Sequence, residues 1–337
     1  MRIAAVLAAL LVVAHPAAQN TPVVVRSLPV QGFNDTSIHM LAGAGGNIAM
    51  QVGDEGVVLV DTGSAGAASA VLAEVRRITD KPISYIINTH AHPDHVGGNE
   101  AIVKASGGQR TNAGGGAAGL FIQNQNGVFV VAHQNVVDRM LLPRPGQTAY
   151  PEPAVARSSF ITADKQLFYN GESMQLTWHP NAHTDGDVVV YFPRSDVVVA
   201  GDIVQTATFP RIDASWEGRL QGLINGLNHV IDIAVPDFNQ TGGTRIIPGH
   251  GWICTESDIV ELRDMATIVR DRIQHLIQKG MTLEQIKAAR PILDYDPVYS
   301  DASWTAEQFL AALDADLRKP WTGPAAKSGL NFTDGGR

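Results

Sequence analysis

The sequence predicts an α/β fold, and three observations carry that expectation. Short β-rich runs separated by Gly and Asp recur up to about residue 250, several of them lead into helix-like segments, and the chain after residue 252 is largely helical in pattern. With 337 residues there is material for one large domain or two modest ones. A hydrophobic content of 45% against 17% charged residues describes a globular chain rather than a disordered one. The formal net charge of −8 argues against nucleic acid or an anionic membrane surface as the main partner.

The chain opens with one positive charge, Arg2, and an apolar run to Val13-Ala14 that is too short to span a bilayer. Ala17 and Ala18 supply small residues near a cleavage point, so residues 1–18 read as a secretory signal peptide directing export, to a bacterial periplasm; an uncleaved anchor is the alternative. Cys254 is the single cysteine, which rules out an intrachain disulfide and cysteine-based zinc fingers. Any metal must then be held by His, Asp or Glu.

The runs at Val23–Val25, Ile38–Leu41, Asn47–Val52 and Val57–Val60 suggest an antiparallel meander. Asp61-Thr62-Gly63 ends the last of them and precedes a helix over about 67–78. A strand over 83–88 follows, then a short helix near 99–105. The Gly-, Asn- and Gln-rich segment 107–127 is either a flap beside a site or a tolerated surface insertion. A strand at Val128–Val131 leads to a helix over 135–142, with His133 between them either lining a pocket or starting the helix. Further strands are expected at 159–161, 174–178, 188–192, 197–200 and 244–247, and an amphipathic helix at 216–233. In the C-terminal part, Thr255 with Asp258 starts one helix, Thr282 another, and Thr305 with Gln308 forms a capping box for a third.

The stretch Thr89-His90-Ala91-His92-Pro93-Asp94-His95 follows the apolar run Ile83–Ile87 and packs three imidazoles and a carboxylate into six residues. A strand end turning tightly into a loop aims His90 and His92 one way and Asp94 and His95 toward a neighbouring position, an arrangement suited to two adjacent metal ions. Downstream, His183, Asp202 and His250 each follow a strand-like run and sit beside glycine or in a turn, where strand ends meet in one rim.

The motif His90-x-His92-x-Asp94-His95, followed in order by His183, Asp202 and His250, resembles that of the metallo-β-lactamase-fold hydrolase superfamily over about Asn47 to Gly251. The resemblance implies a four-layer αββα sandwich, assigned to residues 22–252, with the metal site at one edge between two sheets; the helical pattern after it reads as a region over 253–337 packed on that core. It implies two divalent metal ions, zinc foremost: His90, His92 and His183 for the first, Asp94, His95 and His250 for the second, and Asp202 bridging them. Asp94 also enters as the catalytic carboxylate. Asp61 resembles an aspartate that orients the metal loop, and one of Asp185 and Asp187 is expected to hold a ligand histidine while the other serves the turn.

The implied reaction is attack of a metal-bound hydroxide on the carbonyl of a small-molecule ester, thioester or lactone, with no nucleic-acid partner and no membrane contact after signal cleavage. Asp202 stands where zinc β-lactamases place Cys or Ser, so the chain looks more like glyoxalase II-like thioesterases, lactonases and exported cyclase- or relay-type members. β-Lactam hydrolysis is one alternative; a non-catalytic periplasmic metal-binding or relay protein is another. Nucleases of this fold would want a basic surface, and diiron relatives place Glu where His92 stands.

Overall fold

The computed structural model describes residues 23–30, 37–110, 127–142, 148–236 and 242–323; the signal-peptide reading and most of the 107–127 segment lie outside them. A first sheet runs in the order β1 to β7: β1 (Arg26–Pro29), β2 (Ser37–Ala42), β3 (Ile48–Val52), β4 (Val57–Val60), β5 (Ile83–Ile87), β6 (Phe129–His133) and β7 (Ser158–Phe160). β1 to β4 form the antiparallel meander, and β4 to β7 pair in parallel. Helices α1 (Ala68–Ile78), α2 (Pro93–Val96), α3 (Asn99–Ala105) and α4 (Gln134–Leu141) lie along this half of the chain.

The second sheet contains β8 (Asp164–Tyr169), β9 (Glu172–His179), β10 (Asp187–Phe192), β11 (Val197–Gln205) and β12 (Arg245–His250), in the order β12-β11-β10-β9-β8. Helices α5 (Leu220–Ile233), α6 (Glu256–Gln278), α7 (Leu283–Ala289), α8 (Asp296–Tyr299) and α9 (Ala306–Leu317) complete the described elements.

The period-two alternation of strand side chains builds the layers. On β4, Val58 and Val60 join Val188 and Val190 of β10 and Val197 and Val199 of β11 in a core between the sheets. Val57 and Leu59, on the other face, pack with Val71 of α1, Ile102 of α3 and Val136 of α4. On the far side, Val198 and Ala200 meet Leu223 and Leu227 of α5, Leu262 of α6 and Phe309 of α9. The result is helix, sheet, sheet, helix. Because both faces of β4 are covered, its sequence is an unbroken apolar run.

At the two outer edges, β1 and β8 differ from the sequence reading. β1 begins at Arg26, after the Val23–Val25 run rather than within it. β8 went unread because it is an edge strand whose residues alternate between exposed and half-buried, so DKQLFY carries no apolar run.

Parallel pairing decides where the site falls. β4, β5 and β6 end on one edge of the first sheet, and β11 and β12 end together on the second. The two edges are stitched by backbone bonds: Val188 N–H donates to the Thr89 carbonyl at 2.8 Å and Asn47 N–H to the Gly249 carbonyl at 2.8 Å. The Asn47 amide adds bonds to the carbonyls of Pro248 and Gly251.

Candidate metal centre

The loop after β5 and the short helix α2 carry His90, His92, Asp94 and His95; the loop after β9 carries His183; β11 carries Asp202; and β12 ends on His250. All seven converge. Their donor atoms fall into one group of His90, His92, His183 and Asp202 and another of Asp94, His95 and His250, with the atoms of each group within 4.8 Å of one another.

In the first group, His92 Nδ1 lies 3.2 Å from His90 Nε2 and 3.0 Å from His183 Nε2. In the second, His250 Nε2 is 3.1 Å from Asp94 Oδ2 and 3.4 Å from His95 Nε2. Asp202 stands between them, with Oδ2 3.5 Å from His183 Nε2 and Oδ1 3.1 Å from His95 Nε2 and 3.6 Å from His250 Nε2.

Four of the histidines have their inward nitrogen selected by what the other nitrogen touches. His90 Nδ1 is on the Thr89 hydroxyl at 3.0 Å and His95 Nδ1 on Asp61 Oδ2 at 2.7 Å. His183 Nδ1 is on the Arg211 carbonyl at 2.7 Å, and His92 Nε2 on Asp213 Oδ2 at 2.9 Å. Asp61 is the hub: buried and held at φ 66°, it also accepts the Thr89 N–H at 2.8 Å and the Thr89 hydroxyl at 2.7 Å. A small polar side chain is among the few that tolerate this left-handed backbone.

The sequence reading placed Asp61 here and expected one of Asp185 and Asp187 to hold a ligand histidine and the other to serve the turn; the turn role is seen, the histidine role is not. Neither holds a ligand histidine. Asp187 accepts the Thr184 N–H and hydroxyl at 2.7 and 2.8 Å and so serves the turn, whereas the Asp185 carboxylate pairs with Arg139 of α4 at 2.6 Å. The partners of His92 and His183 come instead from Asp213 and Arg211, in the loop after β11. No local motif marked them, because Asp213 is 121 positions from His92. His133 starts α4, its Nδ1 accepting the Asn135 N–H, while its ring stacks on Trp178 with centroids 4.3 Å apart. Cys254 is buried in the core.

The donor set suits two dications. Asp202 Oδ1 is buried and accepts no hydrogen bond; its contact with His95 is close but not aligned as one. A Cβ on Gly249 would lie 1.9 Å from that oxygen, so glycine keeps the space beside it. Four carboxylates, Asp61, Asp94, Asp202 and Asp213, lie in or against the two groups and match the charge of two divalent ions. Electrostatics agree with this tally. Burial opposes charge on His95, yet Asp202 and Asp61 outweigh it and hold the imidazole pKa well above its ordinary value. Burial also opposes charge on Asp94, but His250 and His95 pull it down to about 2.

Asp94, His92 and His250 are the accessible members of the cluster, while His90, His95 and His183 are buried. A cleft of about 440 Å³ opens beside Asp94, lined in part by Ser64, Pro93, Glu100 and Tyr150. The Tyr150 hydroxyl donates to the Ala91 carbonyl at 2.9 Å and so braces the histidine loop.

With this geometry established, comparison with known proteins gives a consistent result. The family description "Metallo-beta-lactamase superfamily" matches residues 42–112. The chain is 26% identical over 277 residues to a linear primary-alkylsulfatase from Pseudomonas sp., covering 72% of this chain and 50% of that protein. It is 25% identical to a probable hydroxyacylglutathione hydrolase from Schizosaccharomyces pombe, over 65% of this chain and 70% of the relative. Among solved structures, the stereoselective inverting sec-alkylsulfatase from Pseudomonas sp. superposes with a TM-score of 0.58 at 19% identity, over 82% of this chain and 48% of that one. The chain spans about half the length of the alkylsulfatases it matches. The family match over residues 42–112 and the likeness to these hydrolases support membership of the metallo-β-lactamase superfamily.

Proposed function

We propose that this chain is an exported hydrolase that uses two divalent ions, zinc foremost, to cleave a carbonyl ester, thioester or lactone of a small-molecule substrate. The observation that carries this reading is the division of seven side chains into two donor groups joined by Asp202. When bound, such a metal pair polarises the substrate and brings the pKa of water down to about 7. His90, His92 and His183 would hold one ion, Asp94, His95 and His250 the other, and Asp202 both.

The remaining roles belong to the protein. The hydrogen bonds on the far nitrogens of four histidines hold the donor lone pairs in place before substrate arrives, so little reorganisation is needed. Asp94, half-exposed beside the cleft and paired with His250 through Oδ2, would orient the attacking water by accepting its hydrogen bond. Export rests on residues 1–18, and N-terminal sequencing of the mature protein from fractionated cells tests it. Among the described residues no helix is long and apolar enough to cross a membrane.

A second reading, sulfate-ester hydrolysis, is favoured by the likeness to two alkylsulfatases. The likeness to a probable hydroxyacylglutathione hydrolase supports the first. Metal analysis followed by a panel of lactones, thioesters, simple esters, an alkyl sulfate and a chromogenic cephalosporin separates the readings. We expect turnover of a carbonyl ester class, lost by at least about 100-fold in Asp94→Ala and His183→Ala with folding intact. Turnover of the alkyl sulfate alone would establish the second reading. A fully metallated protein inert on the whole panel would point to a binding or relay role.

A further inference from the structure

We propose that the segment from Arg211 to Trp216 is a clamp that sets the affinity of the His90–His92–His183 ion separately from that of its neighbour, with Asp213 and Trp216 as positioning residues. The inference rests on the two-metal reading above and concerns how the two ions are held unequally.

Three contacts from one short segment reach the first group. Asp213 Oδ2 accepts from His92 Nε2 at 2.9 Å, the Trp216 ring lies against His92 with centroids 4.6 Å apart and planes tilted by 31°, and the Arg211 carbonyl accepts from His183 Nδ1 at 2.7 Å. The backbone closes the clamp, since Asp213 N–H donates to the His183 carbonyl and Asp185 N–H to the Trp216 carbonyl, each at 2.9 Å. Asp213 is itself fixed, because its Oδ1 accepts from Ser215 N at 2.8 Å and the Ser215 hydroxyl at 2.5 Å.

His92 is the member of the first group that presents Nδ1 rather than Nε2 inward, and it is the half-exposed one. A ring with solvent on one side can turn, and either nitrogen can carry the proton. The carboxylate on Nε2 fixes the proton there and the indole restricts the ring, which together leave the Nδ1 lone pair aimed at the ion. The second group is anchored elsewhere, His95 by Asp61 and His250 by the end of β12.

The test is titration of the metal-stripped full chain with Co(II) in competition with a chromophoric chelator, following the visible d–d absorption. The wild type is expected to take up two equivalents. In Asp213→Ala one equivalent should weaken by about 10–100-fold, the size of effect typical for loss of such a partner, while the other keeps its affinity. Asp213→Asn, whose amide oxygen still accepts from Nε2–H without the charge, should fall between and decides the matter if the alanine variant does not fold. Urea unfolding of the stripped Asp213→Asn variant, which keeps an acceptor for Ser215 and His92, should stay close to the wild type, while Asp213→Ala loses this cap as well. Wild-type affinities at both sites, or equal weakening of both, would overturn the clamp. A wild type that binds no Co(II) would instead sink the two-metal reading itself.

Discussion

Asp61 shows how much a single buried carboxylate can organise. It satisfies three donors on Thr89 and His95 from a backbone conformation that few residues accept. Replacing it by alanine leaves those donors buried without an acceptor, and each such group costs roughly 1–3 kcal/mol. Asp61→Ala is therefore expected to lose about 3 kcal/mol in urea unfolding, and Asp61→Asn, which tolerates the same φ, less than that. Equal stability of the alanine variant and the wild type would remove Asp61 from its place as anchor. A second residue-scale consequence concerns acid. Burial, helped by the neighbouring His229, drives the His179 pKa down to about 3, and burial drives that of His133 to about 4. Both imidazoles are neutral in the fold but take up a proton near pH 6.5 once unfolded. Their contribution is thus complete above about pH 6.5 and lost as pH falls through 4 and then 3. In metal-stripped protein, His179→Gln should flatten the dependence of the urea midpoint between pH 6.5 and 4; an unchanged slope would contradict this. All seven converging donors were legible because ligand chemistry demands particular residue types at strand ends. Asp213 and the Arg211 carbonyl were not, because one aspartate among many and one carbonyl among hundreds gain meaning only through the fold.

At the level of elements, the legible features were those with a local cause. The Thr305–Gln308 capping box is present as read: the Thr305 hydroxyl accepts the Gln308 N–H, and Gln308 Oε1 accepts the Thr305 N–H at 2.8 Å. Thr305→Ala should cost about 1 kcal/mol, measured as a fall in the midpoint of thermal unfolding. A change within error would mean that packing of α9 holds its first turn without the cap. β11 was read only to Ala200, yet it continues to Gln205 through register shifts around Gly201. The irregularity has a function, since it puts Asp202 at the rim. Gly201 has φ 51°, and a Cβ there would come 2.9 Å from Thr89, so the glycine allows the strand to pass under the histidine loop. Sequence alone shows a Gly-Asp pair that would ordinarily end a strand.

At the scale of the molecule, the C-terminal helices do more than cover a sheet. Phe309 of α9 stacks on Phe209 with centroids 4.5 Å apart, two residues before Arg211, whose carbonyl steadies His183. The Arg211 guanidinium reaches back to Ser303 and lies over Trp304. Asp316 accepts the Leu220 N–H at 3.0 Å and pairs with Arg219, fixing the start of α5. Phe309→Ala is expected to cost about 3–5 kcal/mol, as for other buried aromatic truncations, and to weaken Co(II) uptake at the proposed His183 position as well. Loss of stability with unchanged Co(II) affinity would show that the helices support the core alone.

These contacts bear on inheritance. A tail that touches the sandwich only through its apolar face could be exchanged among relatives as a module. Here the tail also fixes the loop carrying Arg211, so a replacement tail would need its own counterparts of Phe309, Ser303, Trp304 and Asp316. Loop and tail must change together, and a graft of either one alone should arrive with its metal site unsettled.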